Sequence, residues 1–199
     1  PDNVQLSANL TSCQTFSRAP EDQNRITNCY FTTSLDGTET TTIGGMEYLV
    51  LHNATDWNTF ISKVMSANGN SDVNAIMAND FNVIYSVGYR NNIPFRGTFE
   101  GNGHTLGVSI NSLDKDFIAP FSRTKDAVIS NLHVVGQVSG AMHASGLVGS
   151  SEGSTLRVEN CHVSVRVFTT KTHSGGILGH GHKVKNYIRN CLLDGFIEA

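Results

Sequence analysis

In the C-terminal third of the chain, apolar residues recur at every second position in three separate stretches. Leu132, Val134, Gly136 and Val138 form the first set, Cys161, Val163, Val165 and Val167 the second, and Cys191, Leu193, Gly195 and Ile197 the third. A period of two means a β-strand with one buried face. Each set follows an asparagine, and Asn131, Asn160 and Asn190 lie 29 and 30 residues apart. Two residues before each asparagine stands another apolar residue: Ile129, Val158 or Ile188. These can share an interior with the following strand only if the chain bends at the asparagine. The asparagine is therefore predicted to turn a corner, where its side chain can hydrogen-bond to its equivalent in the next coil.

Whole phrases recur at the same spacing. Ile129-Ser-Asn-Leu-His-Val-Val-Gly-Gln-Val138 returns as Val158-Glu-Asn-Cys-His-Val-Ser-Val-Arg-Val167 and as Ile188-Arg-Asn-Cys-Leu-Leu-Asp-Gly-Phe-Ile197. Gly146-Leu-Val-Gly149 returns as Gly176-Ile-Leu-Gly179, and a fainter relative occupies Ile26 to Leu35. A repeat of this length is one unit of a solenoid, too thin to bury its own apolar face until neighbours stack on it. The predicted fold is all-β, a parallel β-helix with coils of about 30 residues. Residues 46–199 form the repeat domain, with coils clearest over 95–199. Residues 1–45, including Thr38 to Thr42 and Gly44-Gly45, read as a degenerate N-terminal coil or edge.

One segment has a different period. Trp57, Phe60, Ile61, Val64 and Met65 follow i, i+3, i+4, i+7, i+8, which predicts one short α-helix near 55–67 docked on the solenoid. Thr55 or Asp56 can cap its start and Gly69 its end. Val73 to Val83 reads as one strand and Asn102-Gly103 as a hairpin-like turn. The last coil stops at Ala199 without a polar cap. The expectation is that the parent protein continues, and that strand 188–197 frays or pairs end to end with a second copy.

These phrases resemble the GLUG-motif repeat family of bacterial surface and adhesin-like proteins. Gly146 to Gly149, Gly176 to Gly179 and the three asparagine-centred strands carry the likeness, as does Phe95-Arg-Gly-Thr-Phe-Glu-Gly-Asn-Gly-His-Thr-Leu106. The likeness covers residues 46–199 well and 1–45 weakly. The chain departs from the pattern at Ile118-Ala-Pro-Phe121, which lacks the glycines, and at His143 and Ser145, which thin a glycine run. The resemblance implies a right-handed β-helix, export to the cell surface, and a role in adhesion or extracellular architecture. It implies no single activity.

Charge narrows the partners. A formal net charge of −3 has the wrong sign for a protein that grips a phosphate backbone, and no basic–aromatic patch suggests nucleic acid. Charged residues make up 16% of the chain, below the usual quarter, and the 19 glycines suit tight corners. No apolar run is long enough for a membrane span. No signal peptide is visible, but a chain beginning at Pro1 says nothing about compartment by lacking one. Of four cysteines, none forms a C-x-x-C pair. Cys161 and Cys191 fall one above the other, with Leu132 as the third member of the column, so they read as buried small hydrophobes rather than a disulfide or metal pair. A bridge between Cys13 and Cys29 stays open in an exported protein.

Some parallel β-helices act on polysaccharides, so catalytic constellations are worth seeking. A glycosidase needs two carboxylates about 5 to 9.5 Å apart, and a lyase a Ca²⁺-binding carboxylate cluster beside a base. Equivalent positions in successive coils are about 4.8 Å apart. Ser130, Glu159 and Arg189 align there, predicting an ion pair, as do Asp126, Thr155 and Lys185, and Asp194 over Ser164. No carboxylate meets a carboxylate. His143 aligns with His173, and His133 with His162, while His180 and His182 make a His-Gly-His turn. Two imidazoles one coil apart can share a metal, but no third and fourth ligand are evident, so polar ladders are the expectation. Gly101 to Gly107 is a turn, not a dinucleotide fingerprint. The sequons at Asn9 and Asn53 matter only in a glycosylating host. No catalytic, cofactor or metal residue is assigned. The expected function is a non-catalytic, adhesin-like or ligand-binding scaffold of an extracellular bacterial surface protein, with a glycan or a host or surface protein as partner. The alternative is a carbohydrate-active enzyme, a polysaccharide lyase or hydrolase, with catalytic residues in unaligned loops.

Overall fold

The structure is a computed structural model that describes residues 39–67, 72–181 and 183–198. It is a parallel β-solenoid of about 5 turns with one helix. The compact unit holding these residues begins at Gly37. Cys13, Cys29, Asn9, the phrase Ile26 to Leu35, Gly69 and His182 lie outside the described residues.

Three main sheets and one narrow one run along the solenoid. The first stacks β1 (Thr40–Ile43), β2 (Met46–Leu51), β3 (Asn74–Met77), β5 (Thr98–Glu100), β8 (Val128–Ser130), β12 (Thr155–Glu159) and β16 (Lys185–Arg189). The second stacks β4 (Phe81–Val83), β6 (Thr105–Ser112), β9 (His133–Gly140), β13 (His162–Thr169), and then β17 (Leu192–Leu193) and β18 (Phe196–Glu198), which share one rung. The third holds β7 (Phe121–Lys125), β11 (Val148–Glu152) and β15 (Leu178–Gly181), and the narrow one β10 (Ala144–Ser145) and β14 (Ser174–Gly175). All neighbours are parallel except β1 and β2, which form an antiparallel hairpin through Gly44 and Gly45, both at positive φ. In the first sheet Leu49, Ala75, Phe99, Ile129, Val158 and Ile188 stack in register. Their spacings of 26, 24, 30, 29 and 30 residues show that the first two coils are shorter than the repeat.

The corners explain the recurring asparagines. Asn131, Asn160 and Asn190 sit at φ 54°, 55° and 50°, the left-handed region that asparagine tolerates better than most side chains. Asn160 Nδ2 donates to Asn131 Oδ1 at 3.0 Å and Asn190 Nδ2 to Asn160 Oδ1 at 2.7 Å, so the predicted ladder forms. Glu100 ends it by accepting from Asn131 Nδ2. Between corners, Leu132, Val134 and Val138 are buried, as are Cys161, Val163, Val165 and Val167. Gly136 departs from the alternation: at φ 118° a Cβ there would meet Val108 O at 2.1 Å.

Several expectations need correcting. Val73 to Val83 is two strands, β3 and β4, because the chain turns at 78–80 from the first sheet to the second. Asn102 and Gly103 make a tight turn at φ 54° and 78°, but it joins β5 and β6 in different sheets and is a corner, not a hairpin. The helix, α1 (Ala54–Ser66), is capped by Asn53, whose Oδ1 accepts from Thr55 N and Asp56 N, rather than by Thr55 or Asp56. Leu193 was expected inside with Val163, but it is 43% exposed while Val163 is fully buried. The two are register partners, and only Val163 has a rung on both sides.

Helix α1 occupies the stretch between β2 and β3, where later coils carry second- and third-sheet strands. Its buried face turns Trp57 and Phe60 into the lumen. Trp57 meets the rings of Phe60, Phe81, Phe99 and Phe121 at 5.6 to 6.4 Å, mostly edge to face. Its Nε1 donates to Tyr85 O at 2.8 Å, tying the helix to the loop after β4.

Candidate functional site

The third sheet is regular for three rungs, and then its strand is replaced by a loop. Residues 84–97 reach β7 through two isolated parallel bridges, Val87 to Phe121 and Phe95 to Thr124. The chain between the bridges bulges outward. Gly88, at φ 77°, makes this approach possible, since a Cβ there would lie 2.3 Å from Arg123 O. The bulge carries Tyr89, Arg90 and Asn92, the last two in a 3-10 turn.

A second insertion faces it. Ser112, Gly140 and Thr169 are in register, as are the corner residues Phe117, His143 and His173. Four residues, 113–116, stand between the first pair, against two in the next coil and three in the one after. They present Asp114, Lys115 and Asp116. The two insertions and Arg123 bound an open cleft of about 440 Å³. A smaller hollow of about 250 Å³ adjoins it, lined by Asn58, Ile61 and Ser62 of α1 with Tyr85 and Ser86. Tyr89 and Arg90 line both hollows of this groove.

Phe117, which lines the cleft, is the first ring of an aromatic stack built on a corner. Phe117 (φ 61°), His143 (φ 57°) and His173 (φ 71°) are all left-handed, which is costly for a ring-bearing side chain. Stacking compensates. Phe117 and His143 lie 5.1 Å apart at 7°, and His143 and His173 5.1 Å apart at 23°. The Arg123 guanidinium covers the outer face of Phe117 at 4.4 Å and reaches Glu152 at 3.7 Å. Burial and the neighbouring His180 ring hold the His143 imidazole below its ordinary pKa, against the pull of the Gly179 backbone and Asp116, so it is neutral near pH 7. His180 belongs to β15, not to a turn.

Charge in the groove is incompletely matched. Lys115 meets Asp114 at 3.4 Å. Arg90 meets no carboxylate among the described residues, and its guanidinium rests near the Tyr85 ring at 5.9 Å. Asp116 Oδ1 and His143 Nδ1 are shielded from solvent and have no hydrogen-bond partner among the described residues.

The other aligned polar residues lie on the outer face of the second sheet. His133 and His162 stack at 4.3 Å and 7°. His162 Nε2 lies 3.0 Å from both Asp194 Oδ2 and Ser164 Oγ, and Ser164 also donates to Asp194. A hydrolytic triad places serine and carboxylate on opposite ring nitrogens. Here both meet Nε2 and the serine proton is already held by the carboxylate, so the group is a surface hydrogen-bond cluster. Ser164 and His162 hold the Asp194 carboxyl below the usual carboxylate range. Farther along, Asp80 accepts from Thr105 N and pairs with His104 at 2.9 Å. Among the described residues, no group of three or more His, Cys, Asp or Glu is placed to hold a metal ion.

The remaining columns are structural. Glu159 is in register with Arg189, but no ion pair forms between them; the Arg189 guanidinium packs on Tyr187 at 5.1 Å. Asp126 Oδ1 accepts from Ser154 N and Thr155 N and fastens a corner. Cys161 and Cys191 are free thiols in adjacent rungs, and burial pushes the Cys161 thiol up to about 12, so it stays protonated.

Sequence reasoning found the histidine columns but missed Tyr85, Tyr89, Arg90, Asp114, Asp116, Phe117 and Arg123. The available signal was the break in the repeat at Ile118-Ala-Pro-Phe121, just after the 113–116 insertion. No helix among the described residues is long and apolar enough to cross a membrane. No family model, curated protein or solved structure matches the chain.

Proposed function

We propose that this chain is a non-catalytic, ligand-binding segment of an exported bacterial surface protein of the GLUG-repeat kind, and that its groove holds a glycan. The observation that carries the reading is the groove itself. It lies where the otherwise regular stacking is interrupted by two insertions, and aromatic rings, guanidinium groups and amide or carboxylate acceptors converge there. Aromatic faces cover the apolar faces of sugar rings, and planar polar side chains bind paired hydroxyls. Functional residues concentrate on loops held by a rigid scaffold, and the solenoid is such a scaffold.

The test pairs binding with turnover. Immobilised protein is expected to retain members of a polysaccharide panel while releasing no reducing ends or unsaturated products, with Ca²⁺ present. Asp114 and Asp116 in the same groove favour a second reading, a polysaccharide lyase or hydrolase. Turnover abolished by Asp114→Asn or Asp116→Asn moves the answer to that class.

The partner surface includes the last rung. Leu192, Leu193, Phe196 and Ile197 are 42–59% exposed on a rung that no further strand covers among the described residues, which supports end-to-end association of two copies of this chain through 188–197. Sedimentation of this chain is expected to show a concentration-dependent dimer that Leu193→Glu abolishes. An unchanged monomer at all concentrations rejects it.

A further inference from the structure

We infer that the groove selects an anionic glycan, a chain of sugars bearing carboxylate groups, with Arg90 as the residue that reads the acid. The inference rests on the reading of the groove as a glycan site and narrows it to a chemical class.

The argument starts from what each charge already touches. Lys115 pairs with Asp114 at 3.4 Å, and Arg123 is shared between Phe117 and Glu152. Arg90 alone among the groove's cations meets no carboxylate among the described residues. It lines both hollows, so a ligand in either meets it. A guanidinium presents paired N–H donors in one plane, which match the two oxygens of a carboxylate. Tyr85 and Tyr89 flank Arg90. The groove thus offers aromatic rings and one cation without a carboxylate partner, within a chain of net charge −3. That net charge disfavours loose polyanion binding elsewhere on the surface, so an acidic ligand held here is held locally.

A neutral glycan would leave Arg90 without a carboxylate. A peptide would serve Arg90 with an acidic side chain, but the open, polar cleft offers no closed apolar pocket for an anchoring side chain.

The experiment measures binding to oligogalacturonate, oligoguluronate and hyaluronan oligosaccharides, each beside its carboxyl-reduced counterpart. Proteins are the wild type, Arg90→Gln, Tyr89→Ala, and Arg166→Gln as a control far from the groove, all checked for unchanged circular dichroism. The expected result is that at least one acidic form binds and its reduced form binds at least about tenfold more weakly. Arg90→Gln should erase most of that difference and leave the reduced form unaffected. Tyr89→Ala should weaken both forms, and Arg166→Gln neither. Raising salt should weaken the acidic form only. Equal binding of acidic and reduced forms overturns the selectivity and leaves the glycan reading standing. Acid-selective binding untouched by Arg90→Gln overturns the assignment to this groove. No binding to any member overturns both.

Discussion

The first and last described rungs use similar residues and reach opposite outcomes. Beside the first rungs, Trp57 and Phe60 of α1 close over Phe99 and Phe121, and all four are at most 1% exposed. At the last rung, Ile188, Leu193 and Ile197 occupy the same inward positions as Val158, Val163 and Val167, yet each is 42–43% exposed while their partners are fully buried. The lesson is that inward parity marks only an option to be buried. In a solenoid the interior is made between coils, so a residue's burial depends on having a rung on each side.

That contrast can be broken experimentally. Val163→Asp places an unpaired carboxylate in a dry column and is expected to cost about 4 kcal/mol or more in chemical denaturation, whereas Leu193→Asp should cost about 1 kcal/mol or less. Equal losses would show that the last rung is as closed as the middle. Trp57→Ala removes the ring that joins helix, loop and lumen, and about 3–5 kcal/mol is expected from thermal and urea unfolding. A small effect would mean that α1 is peripheral to the N-terminal end.

Asn160→Ala removes the middle of the ladder and the side chain best suited to its left-handed corner, and should cost about 1–2 kcal/mol. Asn190→Ala, at the end rung, should cost less, and the reverse order would contradict cooperative stacking. The smallest effect concerns pH. The folded-state pKa values of His133 and His143 are both lowered from 6.5, chiefly by burial. The unfolded chain therefore binds more protons just below pH 6.5, and the stability these groups contribute is present above 6.5 and lost as pH falls below it. Melting temperatures between pH 7.5 and 5 should decline, and His133→Gln should flatten the decline; an unchanged slope would remove His133 as a contributor.

Much of the fold was legible because a repeat states its own geometry. The parity after each asparagine, the corner at Asn131, Asn160 and Asn190, and the register of Cys161 with Cys191 all follow from one template read three times. The helix was legible from its 3.6-residue period, though its cap was not, since Asn53, Thr55 and Asp56 are all competent N-caps and only the backbone path selects one. The first two coils were hidden because 26- and 24-residue spacings share no phrase with the later ones. The candidate groove was least legible. Its residues lie in insertions, which have no copy against which to be aligned.

By itself the sequence determined the stacking: alternation makes strands, left-handed asparagines make corners, and coils too thin to stand alone must pile up. The tertiary structure decided what stacking leaves over. Only the folded chain brings Arg90, from the loop after β4, into one cleft with Asp116, from the insertion after β6. Only there does Leu193 lie at an open rung, and only there do Ser164 and Asp194 converge on one nitrogen of His162. The physical reason is that periodicity encodes which equivalent residues are neighbours, whereas the groove joins insertions that have no equivalents, and burial and side-chain direction are not written in the period.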